Sequence, residues 1–541
     1  MALGINSLAL ERRTGPRALF PGADSESGSD NSCSWSAADD HRQLPCRISG
    51  GDRTCLGDDL GSAEGSVWIG KYGCFVLAAA IARNWKVFMN TAYAVLARSA
   101  LLVTLIVTSA TAQGKPNFIF ILSDDHGWTQ LSFAMDREVF GSASSYLETP
   151  NMARLAQRGM RFVSGYSPAP LCTPTRRSIF CGMTPARQRG TEFKSEFDWT
   201  GRLTLPKALK QADPNYRSAH FGKFGNDMGA SPDDVGFDES DGWTTNATGG
   251  MGASLQERGE SVVKADPKLA FAITDRAIDF IERHSGTHGF YVQVSHYATH
   301  LQVQTRQSSL DMFEAKGPPD RAVTHAFAGM LFDLDQSVGL LLDAVDRLGL
   351  TDNTYIIFMA DNGGRGTIPG AQRSLSPPNR PLNGAKHTLY EGGIRVPFLV
   401  AGPGVEPNSV SQVPVTGYDL LPTLYDLAGG EAPLPDEIDG GSFRTVIENG
   451  GMGEVRRGFE GLVFHRPLRR NAPSSAIRVG DYKLLLNYET ATRPRQSQLF
   501  DLARDVGEQR DVSTEMPGKA EELEALLVGY LKSVGAETPA R

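Results

Sequence analysis

Cysteine is scarce in this sequence, with six residues in a chain of 541, four of them before residue 75. A chain that keeps only Cys172 and Cys181 has too few cysteines for the disulfide framework of small secreted domains. A clustered basic surface is also missing, because Lys and Arg (54) are outnumbered by Asp and Glu (62) and the net charge is −8. No nucleic-acid partner is therefore expected. The apolar run 100–107 is too short to span a membrane.

The N-terminal region divides into two parts. Residues 1–88 are rich in Ser, Gly and Asp with little periodicity, so we predict a disordered segment or an over-extended reading frame that truly starts at Met89. Residues 89–112 combine a basic Arg98, the apolar run 100–107 and the small-residue site Ala110-Thr111-Ala112, which is the anatomy of a secretory signal peptide. These features predict a secreted or periplasmic protein without a stable membrane span after cleavage. The alternative is a cytoplasmic tail, with 100–107 as part of an anchor.

Three short apolar runs predict strands buried on both faces: Phe118–Leu122, Phe290–Ser295 and Tyr355–Met359. Helical patterns separate them, at 149–159, 268–284 and 322–348. Alternating strands and helices indicate a mainly parallel sheet, and in such sheets the functional site forms at the carboxyl ends of the strands.

Oxygen ligands follow these strands directly. Asp124 and Asp125 come after the first strand, Asp361 and Asn362 after the third, and His300 lies shortly after the second. Carboxylate and amide oxygens suit Ca²⁺ or Mg²⁺, and clustered carboxylates without a cation would repel one another. A single Asp after a strand is more often a helix N-cap or a turn residue. Two such pairs favour a metal site.

The stretch LCTPTRRSIFCG, 171–182, places a cysteine before a proline and two arginines. Pro174 cannot occupy a helix interior, so we expect Cys172 in a loop or just ahead of a helix start, where a side chain can react. The alternative is that Cys172 is a small buried apolar residue.

These residues resemble the formylglycine-dependent sulfatases of the alkaline-phosphatase-like superfamily. Residues 172–176 match the family signature C-x-P-x-R, and ETPNMARLAQRGMRF resembles the helix before it. The segments SDDHGW, GKFG, HYATHLQ, ADNGG and GAKHTLYEGGIRVP follow in the family's order, and GYDLLPTLYDLAG and AIRVGDYKLLLN resemble later landmarks. The resemblance covers about residues 115 to 535.

The resemblance implies that a formylglycine-generating enzyme oxidises Cys172 to an aldehyde, which is hydrated to a geminal diol. One hydroxyl attacks sulfur and displaces the alcohol, and the other expels sulfate and restores the aldehyde. The implied cation is Ca²⁺ rather than Mg²⁺, and its implied ligands are Asp124, Asp125, Asp361, Asn362 and residue 172. The cation would activate the nucleophile and polarise the sulfate.

The resemblance also assigns four catalytic roles. Arg176 would hold the diol, and Lys223 and Lys386 match the two lysines that bind sulfate. His300 matches the histidine near the leaving-group oxygen, and His296 ranks behind it as a structural or substrate-lining residue.

One position departs from the family pattern. The family usually has a histidine two residues after the first lysine, where this chain has Gly225. Asn226 and His220 are candidate substitutes. The departure indicates reduced activity, a substitute residue or a distinct subfamily. Cys181 reads as a buried structural thiol.

We predict an α/β fold with a large mixed, mainly parallel sheet and helices on both faces at 115–440. A smaller C-terminal α+β unit with an antiparallel sheet would occupy 441–541. In the latter, Gly480-Asp481 would form a hairpin turn and 518–534 a helix packed on the sheet. The loop 225–259 would line the pocket, and Asn246-Ala247-Thr248 is a glycosylation sequon.

The predicted function is hydrolysis of sulfate monoesters, with sulfated carbohydrate as the expected substrate class. Two alternatives remain open. The first is a phosphate or phosphonate monoester hydrolase, because a cation and two lysines can serve either ester. The second is an inactive homologue that binds sulfated glycans.

Overall fold

The computed structural model describes residues 114–539. The predicted disordered segment and signal peptide lie outside the described residues. Among residues 114–539, no helix has the length and apolar character needed to cross a bilayer.

Strands and helices alternate along most of the described chain. The strands are β1 (Asn117–Ser123), β2 (Met160–Phe162), β3 (Gly165–Tyr166), β4 (Arg217–Gly222), β5 (Glu239–Ser240), β6 (Ser261–Val263), β7 (Phe290–Ser295), β8 (Val303–Thr305), β9 (Thr354–Ala360), β10 (Phe398–Ala401), β11 (Ser409–Ser411), β12 (Val415–Thr416), β13 (Leu462–Arg466), β14 (Ser474–Val479), β15 (Tyr482–Asn487) and β16 (Gln496–Asp501). The α-helices are α1 (Pro150–Arg158), α2 (Cys172–Cys181), α3 (Pro185–Gln188), α4 (Leu205–Ala212), α5 (Pro232–Val235), α6 (Leu255–Gly259), α7 (Ala270–His284), α8 (Gln307–Lys316), α9 (His325–Arg347), α10 (Glu391–Ile394), α11 (Leu420–Leu427), α12 (Arg444–Glu448) and α13 (Pro517–Ser533).

The largest sheet has eight strands in the order β11-β2-β10-β9-β1-β7-β4-β5. Its pairings are parallel except those of β10, which runs antiparallel to β9 and β2. The three predicted strands became β1, β7 and β9, and β1 lies between the other two. The prediction of a mixed, mainly parallel sheet is therefore confirmed.

Two separate apolar clusters cover the two faces of this sheet. Ile119 and Ile121 of β1 belong to the cluster that contains α7 and α9. Phe118, Phe120 and Leu122 belong to the other cluster, which contains residues of α2, α4 and α11. A strand with apolar side chains on both faces needs helices on both faces, and the prediction of that arrangement is confirmed.

The C-terminal sheet is antiparallel, in the order β13-β14-β15-β16. Val479 pairs with Tyr482, so Gly480-Asp481 forms the predicted two-residue turn, and Gly480 has a φ of +56°. One face of this sheet packs against α13. The other face packs against Leu389, Ile394 and other residues from the part of the chain that precedes β13.

Candidate active site

Three neighbouring strands deliver the candidate ligands. β1 leads into Asp124 and Asp125, and β9 leads into Asp361 and Asn362. The strand ends are tied together by backbone hydrogen bonds, because Asp361 N–H donates to the Ser123 carbonyl at 3.0 Å and Asp124 N–H donates to the Ala298 carbonyl at 2.8 Å. The last of these bonds brings the segment that carries His300 to the same edge of the sheet.

The four predicted ligand residues with oxygen donors are buried, and hydrogen bonds join three of them. Asp125 N–H donates to Asp361 Oδ1 at 3.2 Å, and Asn362 Nδ2 donates to Asp125 Oδ1 at 2.9 Å. Asp125 has a φ of +58°, a conformation that costs energy for a non-glycine residue and is often found at functional sites.

Cys172 is the first residue of α2, with Leu171 as the N-cap. Pro174 is the third residue of this helix, where its missing N–H removes no helical hydrogen bond. The expected location just ahead of a helix start is thus off by one residue. The thiol is fully buried and unpaired. It lies at the helix N-terminus, where a negative charge is stabilised.

Arg176 reaches from the first turns of α2 to the carboxylates. Its Nε and NH2 groups donate to Asp361 Oδ2 at 3.1 and 2.8 Å, and both side chains are fully buried. Its NH1 donates to the Lys223 carbonyl at 2.5 Å. Arg176 therefore joins the signature helix, a predicted ligand and the segment of the first predicted lysine.

Both predicted lysines pair with carboxylates. Lys223 Nζ donates to Asp124 Oδ2, and Lys386 Nζ donates to Asp125 Oδ1. Burial would raise the pKa of Asp124, but Lys223 and His300 outweigh it and hold this pKa below its ordinary value. Burial and the charge of Asp124 raise the pKa of Asp361 to about 6, although Arg176 opposes them. The positive charge around Asp361 is therefore too small to offset its burial and the nearby charge of Asp124.

The donor set fits a hard cation. One possible ligand group combines Asp124, Cys172 and Asp361, and a second combines Asp124, Asp125 and His300, with donor atoms within 4.8 Å of one another in each. Three buried oxygens of this donor set have no hydrogen-bond partner: Asp124 Oδ1, Asp125 Oδ2 and Asn362 Oδ1. Buried oxygens without partners are costly, and a cation bound by these oxygens would remove that cost.

The two histidine candidates occupy different environments. His300 Nδ1 lies 2.7 Å from the Leu301 carbonyl, which can only accept, so Nδ1 carries the proton and Nε2 lies 3.8 Å from Asp125 Oδ2. Burial lowers the pKa of His300 to about 4. His296 is fully buried, and its Nε2 lies 3.5 Å from Ser337 Oγ of α9. Of the two, His300 is the one that faces the carboxylates.

The position of the missing family histidine lies beside α2. A Cβ atom on Gly225 would lie 2.8 Å from Met228 Sδ and 3.8 Å from Thr173 Oγ1. The side chain of Asn226 accepts from Asn246 N–H at 3.3 Å. His220 contacts the rings of Phe180, Phe224 and Phe237, and neither ring nitrogen has a hydrogen-bond partner.

The sequence model of the Sulfatase family matches residues 116–430. The chain belongs to the sulfatase family. A second family model, N-sulphoglucosamine sulphohydrolase C-terminal, matches residues 385–534. The resemblance stated from the motifs is therefore confirmed, and the named relatives of this family are sulfuric ester hydrolases.

Curated relatives and solved structures agree with this assignment. The chain is 29% identical to a sulfatase of Formosa agariphila over 76% of this chain and 87% of the relative. It is also 29% identical to human N-acetylgalactosamine-6-sulfatase, over 61% of this chain and 65% of that enzyme. Ps i-CgsB, solved in complex with k-i-k-neocarrahexaose, is 25% identical with a TM-score of 0.63, over 77% of this chain and 93% of that one. A phosphonate monoester hydrolase of Agrobacterium radiobacter shares the fold at 17% identity, with a TM-score of 0.56 over 77% of this chain and 96% of that one.

Two basic residues near the candidate site were missed by sequence reasoning. Arg365 NH1 lies 3.9 Å from Asp125 Oδ2, and 27% of its side chain is exposed. Its position three residues after Asn362 could have indicated, from the sequence, that Arg365 lies near the predicted ligands. Lys268 is buried with a φ of +57°, and its Nζ donates to the Gly249 carbonyl at 3.3 Å. Burial lowers its pKa to about 7, against the opposing effect of Asp124. No motif marked Lys268.

Two further sequence features concern buried residues. Cys181 is a fully buried free thiol, and burial raises its pKa to about 12. This environment agrees with the structural interpretation. Asn246 of the sequon is also buried.

Proposed function

We propose that this sulfatase-family protein hydrolyses sulfate monoesters of carbohydrates, with formylglycine formed from Cys172 as nucleophile and Ca²⁺ as cofactor. The observation that carries the proposal is the position of Cys172. Its sulfur is buried at the N-terminus of α2, in one ligand group with Asp124 and Asp361.

Asp124, Asp125, Asp361 and Asn362 would hold the cation through their oxygens, three of which have no partner now. A bound Ca²⁺ supplies a Lewis acid that polarises the sulfate and favours a deprotonated nucleophile. The aldehyde hydrate at position 172 supplies a second hydroxyl, which a serine lacks, for release of sulfate. Mg²⁺ is less well matched, because it demands a near-octahedral site and retains water.

The side chains around position 172 would stabilise the developing negative charge. Lys223 and Lys386 are buried ammonium groups paired with Asp124 and Asp125, and fixed charges of this kind act strongly where water is excluded. Arg176, held by Asp361, would orient the nucleophile. His300 donates its Nδ1 proton to the Leu301 carbonyl, so Nε2 is the ring atom that faces the carboxylates and would contact the leaving-group oxygen.

Sulfated carbohydrate is proposed as the substrate class because of the relatives. The human relative is named for a sulfated amino sugar, and the solved structure Ps i-CgsB holds an oligosaccharide. Export from the cytoplasm, proposed from the signal-peptide pattern of residues 89–112, agrees with a polymeric substrate outside the cell.

Two alternatives each have one observation in their favour. The phosphonate monoester hydrolase with the same fold favours a phosphorus ester as substrate. Gly225, in place of the family histidine, favours a glycan-binding homologue without turnover.

The test is a paired assay on protein made in cells that contain a formylglycine-generating enzyme. We expect the peptide with position 172 to have the mass of formylglycine, and the protein to turn over an aryl sulfate faster than an aryl phosphate or phosphonate. Cys172→Ser is expected to fold and to lose multiple turnover, because a serine sulfate ester has no second hydroxyl that could expel the sulfate. Cys181→Ser is the matched control and should retain activity. Wild-type rates from Cys172→Ser would refute the proposed nucleophile.

A further inference from the structure

A second cluster of buried charges involves none of the carboxylates that would hold the cation. Lys483 Nζ of β15 lies 2.8 Å from Glu391 Oε1 and 2.8 Å from Glu508 Oε1. Arg395 Nε pairs with Glu391 Oε2, and Tyr166 OH donates to the same oxygen at 2.8 Å. All five residues are buried, so water cannot replace a lost partner.

Glu391 is the first residue of α10, which follows the loop with Lys386. Gly392 and Gly393 pack onto that loop at backbone distance, because a Cβ atom on Gly393 would lie 2.1 Å from the Thr388 carbonyl and one on Gly392 would lie 2.5 Å from the Gly384 carbonyl. No side chain fits there. A shift of α10 would therefore move the backbone that carries Lys386.

α10 also contacts the loop of the candidate metal ligands. Gly363, which follows Asn362, donates its N–H to the Gly393 carbonyl at 2.9 Å. Lys386 N–H donates to the Gly364 carbonyl at 2.9 Å. The segment of Lys386 and the Asp361–Asn362 loop therefore both contact α10, and they also contact each other.

α10 has only four residues, too few to be stable without tertiary contacts. Its first residue, Glu391, is held in place by two residues of the C-terminal unit. Lys483 pairs with the Glu391 carboxylate, and Glu508, which follows β16, accepts the Glu391 backbone N–H at 2.6 Å. Removal of one partner from such a buried network leaves an uncompensated charge.

We propose that Lys483 and Glu508 are positioning residues for the sulfatase reaction, which act through α10 to set Lys386 and the Asp361–Asn362 loop. This inference rests on the proposed function, in which Lys386 binds sulfate. The C-terminal sheet then contributes to the active site through α10.

The test is a double-mutant cycle of Lys483→Met and Lys386→Ala, with kcat/KM for an aryl sulfate as the readout. We expect Lys483→Met alone to lower kcat/KM by about 100-fold, the loss that a misplacement of about 1 Å can cause. In the Lys386→Ala background the same change should cost much less, because the group that it positions is already gone. Equal losses in the two backgrounds would overturn the proposal.

Tyr530→Phe is the matched control. Tyr530 OH also joins the C-terminal unit to the rest of the chain, through Thr184 Oγ1 at 2.7 Å and Asp439 Oδ1 at 2.9 Å, and neither of these bonds involves α10. We expect this control to lower the melting temperature and leave kcat/KM unchanged. A purely structural role for Lys483 predicts the same pattern for Lys483→Met, and that result would refute positioning.

A readout without turnover separates this inference from the proposed function. Hydrogen–deuterium exchange of residues 383–394 should rise in Lys483→Met and not in Tyr530→Phe, even if the wild-type protein hydrolyses no sulfate ester. If Lys483→Met does not fold, Glu508→Gln makes the same test, because it keeps an acceptor for the Glu391 N–H and removes one charge. Unchanged exchange of this segment in the variant that folds would overturn the proposal.

Discussion

The buried pair between Arg176 and Asp361 allows a quantitative test of the metal site. Arg176→Met keeps most of the side-chain volume and removes the guanidinium, so Asp361 loses two hydrogen bonds and its cationic partner. Loss of one partner of a fully buried ion pair costs about 3–5 kcal/mol. The unfolding entropy of the 426 described residues is about 0.9 kcal/mol/K, from ~2.1 cal/mol/K per residue. The melting temperature should therefore fall by about 3–6 °C.

This loss should depend on calcium. If Asp361 binds the ion, the ion supplies positive charge in place of the guanidinium, and Arg176→Met should lower the melting temperature less in saturating calcium than in EGTA. The assay is differential scanning calorimetry of both proteins under both conditions. Arg456→Met is the control, because its pair with Glu454 is exposed and should contribute little in either condition. An equal loss with and without calcium would refute the inference that Asp361 is a ligand.

Three further predictions concern metal content, a buried lysine and the N-terminus of the exported protein. Asp361→Ala should lower both bound calcium, measured by elemental analysis, and turnover; unchanged metal content would contradict a shared ion. Lys268→Met should change how the free energy of unfolding depends on pH. The pKa of Lys268 is about 7 in the folded protein and ordinarily 10.5, so the unfolded chain binds the extra proton between these pH values and wild-type stability rises with pH there. The melting temperature of wild type relative to Lys268→Met should therefore increase from pH 7 to pH 9, and a constant difference would argue against a buried neutral amine. N-terminal sequencing of exported protein should begin near Gln113, and a mature chain that retains residues 1–88 would contradict the signal peptide.

The sequence predicted the large sheet well because its central strands are buried on both faces. A continuous apolar run such as Phe118–Leu122 has few alternative structures, and the polar residues directly after it stand out. The parallel arrangement then implied that residues more than 200 positions apart, such as Asp124 and Asp361, meet at one edge. The backbone bond between Asp361 and Ser123 agrees with that reasoning.

Other features could not be read from local patterns. Lys268 lies at the start of an ordinary amphipathic pattern, and only tertiary packing buries its ammonium group. Arg365 required knowledge of how the loop after Asn362 folds back on Asp125. The network around Glu391 depends on β15, which is nearly a hundred residues further along the chain. Lysines are usually solvated, and Lys483 is the second residue of β15, where a lysine would ordinarily point to solvent, so sequence alone did not single it out.

The complete burial of Cys172 has a consequence for the timing of maturation. A modifying enzyme cannot reach a thiol that is 0% exposed, so the proposed oxidation must precede folding. β9 pairs with β1 along its whole length and ends at Ala360, so the site cannot close before that residue has been made. Synthesis of the roughly 190 residues between positions 172 and 360 takes on the order of 10–40 s at about 5–20 residues per second. If position 172 is oxidised as proposed, the fraction of modified protein depends on competition between oxidation and folding, and molecules that fold first keep an unmodified thiol.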